Sequence, residues 1–471
     1  MASVVIRTGR ADLDFTGIRR EFALPEEFPA DALAEARRAV SAGFDGADRE
    51  DATDLPLVTI DPPGAKDLDQ ALLVQRAGRG FRVHYAIADL GAFVPPDGAL
   101  DAEVRRRGQT LYLPDGNVPL HPTELSEGAA SLLPGQIRPA VLWTFECDAD
   151  GEPVDVRVRR AVVRSTAQFE YEGVQAAFDG GAAHPSVAAL PEFGALRRER
   201  AVDRGAVELQ LPEQEIVPNG DGDWKLAVRP RAAVDSWNAE ISLLTGMSAA
   251  KIMLEARVGV LRTLPDADGE AVSALRRSAH ALGVPWPAEV TPSRLLAGLD
   301  PSRPESLALF VDATKLLRGA GYTAFDGEIP AVTTHAGVAA PYTHVTAPLR
   351  RLVDRFAAEV CLAVTAGREV PDWLRAALPR LPGLMGGSDA LAAKVERACL
   401  DQVEAWVLAD RVGHRFEAVV LRADANGADV FTPQPPVMGR CTGENLPEGE
   451  RIAVRLVEAD PERRKVVFER V

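Results

Sequence analysis

Two patterns of apolar and polar positions divide this chain. From about residue 57 to 163, apolar residues come in short runs or at every second position, the period of strands. Runs at 57–60, 71–74 and 81–88 are separated by polar turns, and Gly78-Arg79-Gly80 predicts a hairpin joining the second run to the third. Asp148-Ala149-Asp150-Gly151 predicts another hairpin leading into 154–163, with Arg157 and Arg159 on one face and Val156 and Val158 on the other. Helical spacing takes over at 171–204, 234–261, 302–317 and 392–411. Before the strands, Leu33, Ala36 and Val40 predict one helix after Pro29, and 45–54 reads as a charged linker. Beyond Arg415 the runs 416–421, 428–431, 437–441, 451–456 and 465–468 predict five short strands, which suit a small OB-type barrel. The expected fold is α+β: a mixed domain with a β-sheet core surrounded by helices, then the barrel. The expected boundaries are 1–55 for a short N-terminal extension and linker helix, 56–412 for the main domain and 413–471 for the barrel.

The first apolar run stops at Asp61, and Pro62-Pro63-Gly64 forces a turn because proline fixes φ and glycine accepts the positive φ other residues resist. That turn returns Asp67 and Asp69 towards Asp61. Three crowded carboxylates repel unless a cation sits between them, and a hard divalent ion such as Mg²⁺ takes oxygen ligands. A solvated acidic loop is the alternative, and an EF-hand fits poorly because the bidentate Glu is missing. Asp89, ending the 81–88 strand, either joins this cluster or caps its own turn. Further on, Thr346 suits an N-cap, and Leu349, Leu352, Phe356 and Val360 make an apolar helix face. Arg350 and Arg351 would then lie near the positive end of the helix dipole, where phosphate binds. Arg350 could equally pair with Asp354 one turn on. In the C-terminal barrel, Phe431, Arg440, Arg455 and Lys465 could form a stacking and phosphate-binding surface, or the phenylalanine could be core.

Composition narrows the class. The chain has 471 residues, 46% of them hydrophobic, enough for more than one domain with its own core. A net charge of −16 argues against coating nucleic acid by bulk electrostatics, but leaves room for a locally positive channel. Its basic residues are nearly all arginine, which suits bidentate phosphate contacts or reflects a GC-rich genome. The cysteines Cys147, Cys361, Cys399 and Cys441 lack paired spacing and read as free thiols. With no run of membrane-span length and no leader pattern at residues 1–4, the expectation is a cytoplasmic protein with no membrane association.

Thr59-Ile60-Asp61 with Asp67-Leu68-Asp69 resembles the catalytic acidic motif of the ribonuclease II family. His84-Tyr85-Ala86-Ile87-Ala88-Asp89, Leu111-Tyr112-Leu113-Pro114, His335-Ala336-Gly337-Val338 and the stretch from Tyr342 to Arg351 are similar to further family motifs, in the family's order. The resemblance covers about 20–412 as the catalytic domain, with an S1-like barrel after it. It implies a hydrolytic 3′→5′ exoribonuclease that degrades single-stranded RNA to nucleoside 5′-monophosphates, dependent on Mg²⁺ or Mn²⁺ and needing no obligatory protein partner, as a monomer. It also implies roles for named residues. Asp61, Asp67, Asp69 and Gln70 would form the metal site, with Asp67, Asp69 and Arg350 catalytic and Arg350 stabilising the transition-state phosphate. Tyr112 would stack on the terminal nucleotide, and Arg351, His335 and Phe431 would also contact RNA.

This chain also departs from the family pattern. Gln70 stands where a fourth aspartate is usual, so one metal is expected to bind more weakly. Ala239 replaces the first of two paired glutamates and leaves Glu240; Gly246 stands where asparagine is usual; and Val258 occupies the place of an aromatic clamp. Trp406 is retained in the late helix, where Glu396 and Asp401 are the candidates for an acidic residue of the family. The first 20 or so residues cannot form a cold-shock barrel. A second reading is therefore an RNA-binding member that has lost catalysis, and a third is a metal-dependent DNA phosphodiesterase.

Overall fold

The alternating stretches close on themselves. In the computed structural model, which describes residues 13–209, 211, 213–218, 224–229 and 232–471, five strands form a closed barrel. They are β1 (Glu50–Asp61), β2 (Gln70–Ala77), β3 (Gly80–Ala88), β4 (Ile137–Cys147) and β5 (Pro153–Glu170). Neighbours run antiparallel except where β1 meets β5 in parallel to close the cylinder. The β2–β3 register pairs Ala77 with Gly80, so Gly78-Arg79 is a two-residue turn, as the sequence predicts. Trp143, Tyr85, Phe81, Phe145 and Leu57 are fully buried here. Residues 1–4, where no leader pattern is read, lie outside the described residues.

Two helices pack together against this barrel. α1 (Ala233–Ala256) buries Ile241, Leu244 and Met253, and α3 (Leu352–Thr365) buries Leu352, Phe356 and Val360. Between them in sequence, α2 (Pro304–Ala313) belongs to a smaller helical cluster around Leu296, Leu309 and Phe310. α4 (Leu381–Leu408) leads to a second closed barrel of β6 (Arg415–Asp424), β7 (Gly427–Pro433), β8 (Pro436–Thr442), β9 (Arg451–Asp460) and β10 (Lys465–Arg470). The strand order is β6-β7-β8-β10-β9, with β8 and β10 parallel, as suits an OB-type barrel. Ile18, in the short helix Thr16–Glu21, and Phe15 just before it share a core with Trp406 and this barrel. The N-terminal segment is thus tied to the far end of the chain.

The structure corrects the expected elements at four places. The charged linker at 45–54 is half strand: β1 begins at Glu50 because its backbone pairs with β5 from Ala161 onward and Ala52 is buried. The helix expected to run to 261 ends at Ala256, where Arg257 takes a left-handed conformation, and Val258–Thr263 then pairs with Gly321–Asp326. The late helix begins at Leu381, earlier than 392. Thr346 caps no helix, since α3 begins at Leu352. The Leu352 amide is taken by the Gly108 carbonyl at 2.9 Å, and the Arg350 carbonyl accepts from the Thr110 amide at 3.0 Å. Within 346–351 a single turn does close, the Ala347 carbonyl accepting from the Arg350 and Arg351 amides at 3.2 and 2.9 Å, but the bonds to Gly108 and Thr110 keep it from running on into α3.

The segment leading into the 346–351 loop passes close to Gly246 on α1. A Cβ there would lie 2.3 Å from Cε2 of Tyr342 and 2.5 Å from the Thr343 carbonyl oxygen, distances real side chains do not tolerate. The family-typical asparagine therefore cannot fit without displacing the segment that leads to Arg350. Gly246→Asn should destabilise the protein by roughly 1–3 kcal/mol. A thermal melt followed by circular dichroism checks this, and an unchanged midpoint would contradict the close approach.

Candidate active site

β1 ends at Asp61 and β2 begins at Gln70, so the barrel's first hairpin delivers the acidic loop to one end. Asp61, Asp67, Asp69, Gln70, Tyr112, Tyr171 and Arg350 line a single cleft of about 640 Å³. A second cleft of about 530 Å³ runs along α1 past Arg204, Glu240 and Arg351, and Gln70, Tyr171 and Arg350 line both. The parts of the chain near 61–70, 112, 171 and 350 therefore meet at one place.

Within the cleft the three aspartates do different work. Asp69, 4% exposed, accepts the Leu349 amide at 2.8 Å on Oδ1 and Arg350 Nε at 3.2 Å on Oδ2. Burial nevertheless pushes its carboxyl up to about 7, against the lowering effect of Arg350 and the Leu349 amide. Asp67 accepts from the Tyr112 hydroxyl at 3.2 Å. Asp61 has a buried Oδ2 with no hydrogen-bond partner, and burial raises its carboxyl to about 6. Among the described residues, no three carboxylate, histidine or cysteine side chains are grouped as a metal site. Asp69 is engaged instead by Arg350 and the Leu349 amide. The donors still suit a hard cation: they are all oxygens, and the orphaned Asp61 oxygen with its raised pKa is an electrostatic vacancy for positive charge.

Gln70 is placed differently from the expectation. Its Nε2 donates to the Thr346 carbonyl at 2.7 Å, and its Oε1 accepts from the Tyr85 hydroxyl at 2.8 Å. Tyr85 is buried and its hydroxyl also bonds Ser242 Oγ at 2.8 Å. The amide oxygen that was to coordinate metal is already committed.

The cationic and aromatic candidates also separate. Arg350, with 45% of its side chain exposed, carries the ion pair to Asp69 and does not pair with Asp354. Arg351 makes that pair instead, through two bonds of 2.9 and 2.8 Å, and so is locked rather than free for phosphate. Tyr112 is 53% exposed and presents a ring at the cleft. His335 packs edge-on to Tyr342 with centroids 6.0 Å apart, and burial and Arg262 lower its pKa, so at neutral pH it is no phosphate-binding cation. Phe431 is buried against Leu307 of α2, Val419 and Leu421, so it is core at a barrel–helix contact rather than a stacking platform. Arg440 pairs with Asp424 and Asp429, Arg455 with Glu469, and Lys465 with Glu458.

The remaining sequence candidates fall outside the acidic cleft. Asp89 lies apart, paired with Arg49 and Arg160 and accepting the Gly91 amide at 3.0 Å, so it caps its own turn. Glu240 is buried in the second cleft, Val258 is core, and Asp401 pairs with Arg397. Glu396 is exposed on α4. Sequence reasoning overlooked Tyr171 and Ser242, and gave Tyr85 no role beyond its place in a motif. Tyr171 opens a helix directly after β5, at the strand end beside Asp61, and the Asp61–Glu170 pairing would have pointed to it.

The raised carboxyl of Asp61 has a measurable consequence. Between the ordinary carboxylate value and about 6, the native protein holds a proton the unfolded chain has lost, so the burial cost grows as pH rises and is complete above about 6. In metal-free buffer, Asp61→Asn should raise stability at pH 8 by on the order of 1–2 kcal/mol and leave it nearly unchanged at pH 4. Denaturant titrations at both pH values check the sign; equal effects at both would refute the assignment.

Residues 49–364 match the RNB domain, and residues 414–471 match the RNase II-type exonuclease C-terminal S1 domain. The exosome complex exonuclease RRP44 homolog A of Arabidopsis thaliana is 28% identical over 83% of this chain and 43% of its own length. Ribonuclease R of Thermotoga maritima is 25% identical over 91% of this chain and 63% of its own. The chain spans about half the length of the curated relatives it matches. The structure of Mycoplasma genitalium RNase R in complex with ribose-methylated single-stranded RNA is similar at a TM-score of 0.86 and 19% identity, covering 97% of this chain and 77% of that one. Yeast Ssd1, a pseudonuclease, is similar at a TM-score of 0.70 and 17% identity, covering 87% of this chain and 53% of its own. Such identities speak for the fold alone, and this fold occurs in both a ribonuclease R and a pseudonuclease. With its barrel, acidic loop and Arg350 loop inside the matched region, the chain belongs to the RNB-domain family and carries an RNase II-type S1 domain at its C-terminal end.

Proposed function

We propose that this protein is a hydrolytic 3′→5′ exoribonuclease acting on single-stranded RNA and releasing nucleoside 5′-monophosphates. The observation that carries the reading is Arg350 held 3.2 Å from Asp69 in a cleft that also contains Asp61, Asp67 and Tyr112. Phosphodiester hydrolysis needs an activated water and neutralisation of the charge gathering on phosphorus. Mg²⁺ or Mn²⁺, when bound, would supply a water of lowered pKa and positive charge, with Asp61, Asp67 and Asp69 as its holders. Arg350 bonds Asp69 through Nε, and its remaining donors are those a phosphate oxygen would take in a charge-assisted pair. Tyr112 is anchored to Asp67 by its hydroxyl and exposes a ring face, which suits stacking on a base freed from its duplex. Tyr171 lines both clefts, where a nucleotide strand passing between them would meet it.

Among the described residues no helix is long and apolar enough to cross a membrane. The proposal includes a monomer working in the cytoplasm without an obligatory protein partner. A second reading, an RNA-binding protein that has lost catalysis, is favoured by one observation: the Gln70 oxygen is occupied by Tyr85.

A 5′-labelled poly(A) strand incubated with Mg²⁺ or Mn²⁺ separates these readings. The expected outcome is a ladder of shortened products from RNA and none from an all-deoxy strand. Asp69→Asn should abolish the ladder while RNA binding persists, and Arg350→Ala should slow it by about 10²–10³-fold. Binding without shortening by the unaltered protein would establish the second reading, and shortening of the deoxy strand would point to a DNA phosphodiesterase.

A further inference from the structure

The loop that carries Arg350 is held by polar contacts along its length. The Ala347 amide donates to Asp354 Oδ1 at 2.7 Å, and the Leu349 amide to Asp69 Oδ1 at 2.8 Å. His121, buried, hydrogen-bonds the Pro348 backbone, and the Arg350 carbonyl accepts from Thr110. The Thr346 carbonyl is the first of these contacts along the loop, and Gln70 Nε2 makes it at 2.7 Å. Thr346 is 4% exposed, so no solvent readily replaces that donor.

We propose that Gln70 is a positioning residue, whose carboxamide clamps the Arg350 loop onto the barrel, and not a metal ligand. The geometry is that of a two-ended brace. At one end Tyr85, in β3, donates to Oε1 and joins Ser242 of α1; at the other, Nε2 takes Thr346. Asp69 and Gln70 are consecutive, and they grip the loop at Leu349 and Thr346, so the same strand start fixes both ends of a four-residue span. An aspartate at position 70 is one methylene shorter and has no N–H for the Thr346 carbonyl. The carboxamide alone offers a donor and an acceptor at opposite tips. Any metal in the cleft would therefore rest on Asp61 and Asp67, with Asp69 reaching it only through the carboxylate lone pairs that the Leu349 amide and Arg350 leave free.

This proposal rests on the reading of Arg350 as the group that stabilises phosphate, and the test keeps the two apart. The variants are Gln70→Leu, close in size without either hydrogen bond, and Tyr85→Phe, which removes the hydroxyl bonded to Gln70 Oε1 and Ser242 but leaves the bond to Thr346. Gln70→Leu is expected to lower the single-turnover shortening rate at least tenfold with the RNA dissociation constant unchanged within twofold, and Tyr85→Phe to lower it less. In an Arg350→Ala background, adding Gln70→Leu should cost less than a further twofold, because Gln70 acts through Arg350; a general structural defect would multiply the two losses. Calorimetric titration with Mn²⁺ should give the same affinity for Gln70→Leu as for the unaltered protein, and amide exchange should quicken in peptides covering 345–351. Weaker Mn²⁺ binding, multiplied losses, or unchanged rate and exchange would each overturn the proposal. Should the unaltered protein leave RNA intact, the functional reading fails, while the Mn²⁺ and exchange measurements still decide the role of Gln70.

Discussion

Asp69 joins two segments 280 residues apart in sequence, and the site depends on that join. One oxygen takes a backbone amide and the other a guanidinium, so a single carboxylate fixes both the path of the Arg350 loop and the direction of its side chain. The cost is burial of a charge, visible in the upward displacement of the Asp69 carboxyl. The surrounding barrel makes this tolerable. It ends β1 and begins β2 beside the pair, so the Asp69 side is buried while Arg350 keeps contact with solvent. Arg351 and Asp354 repeat the device one step later, where a buried pair secures the start of α3. Adjacent arginines thus divide the labour: the second builds the loop, and the first is left partly exposed within it.

The C-terminal barrel has a similar division. Its strand order is that of an OB-type fold, a scaffold suited to nucleic acid, yet Phe431 is turned into a contact with Leu307 of α2. Its cations Arg440, Arg455 and Lys465 are each matched by a carboxylate on the same barrel. The Phe431 contact is a joint between the barrel and α2. The N-terminal Phe15 and Ile18 enter the core on which Trp406 also packs, so the barrel is anchored from both ends of the chain. Single-strand binding, on the functional reading proposed, falls chiefly to the two clefts that meet at Arg350.

Local residue patterns carry much of this molecule. Alternation and turn chemistry place the hairpin at Gly78-Arg79 and all five strands of the terminal barrel, because strand period and turn conformation are short-range properties. The stop at Asp61 and the return through Pro62-Pro63-Gly64 bring the carboxylates into one cleft for the same reason. Periodicity fails where long-range pairing overrides it. Residues 258–261 continue a helical pattern but join a strand from 321–326, and the turn closed on the Ala347 carbonyl is kept from running into α3 because Gly108 takes the Leu352 amide. Ladder and loop bonds with distant partners outweigh the few tenths of a kcal/mol that separate local preferences.

What the sequence by itself determined is which residue types are available and which segments carry them: the acidic loop, the tyrosine at 112, the paired arginines at 350 and 351, and a terminal barrel. Only the tertiary structure decided how each is used. Gln70 is a brace because Tyr85 and Thr346 lie at its two ends; Gly246 is glycine because Tyr342 approaches it; Phe431 is core because Leu307 covers it. The physical reason is common to all three. A side chain's chemistry is fixed by its own atoms, whereas its role is set by the partners that satisfy those atoms, and here those partners come from remote parts of the chain.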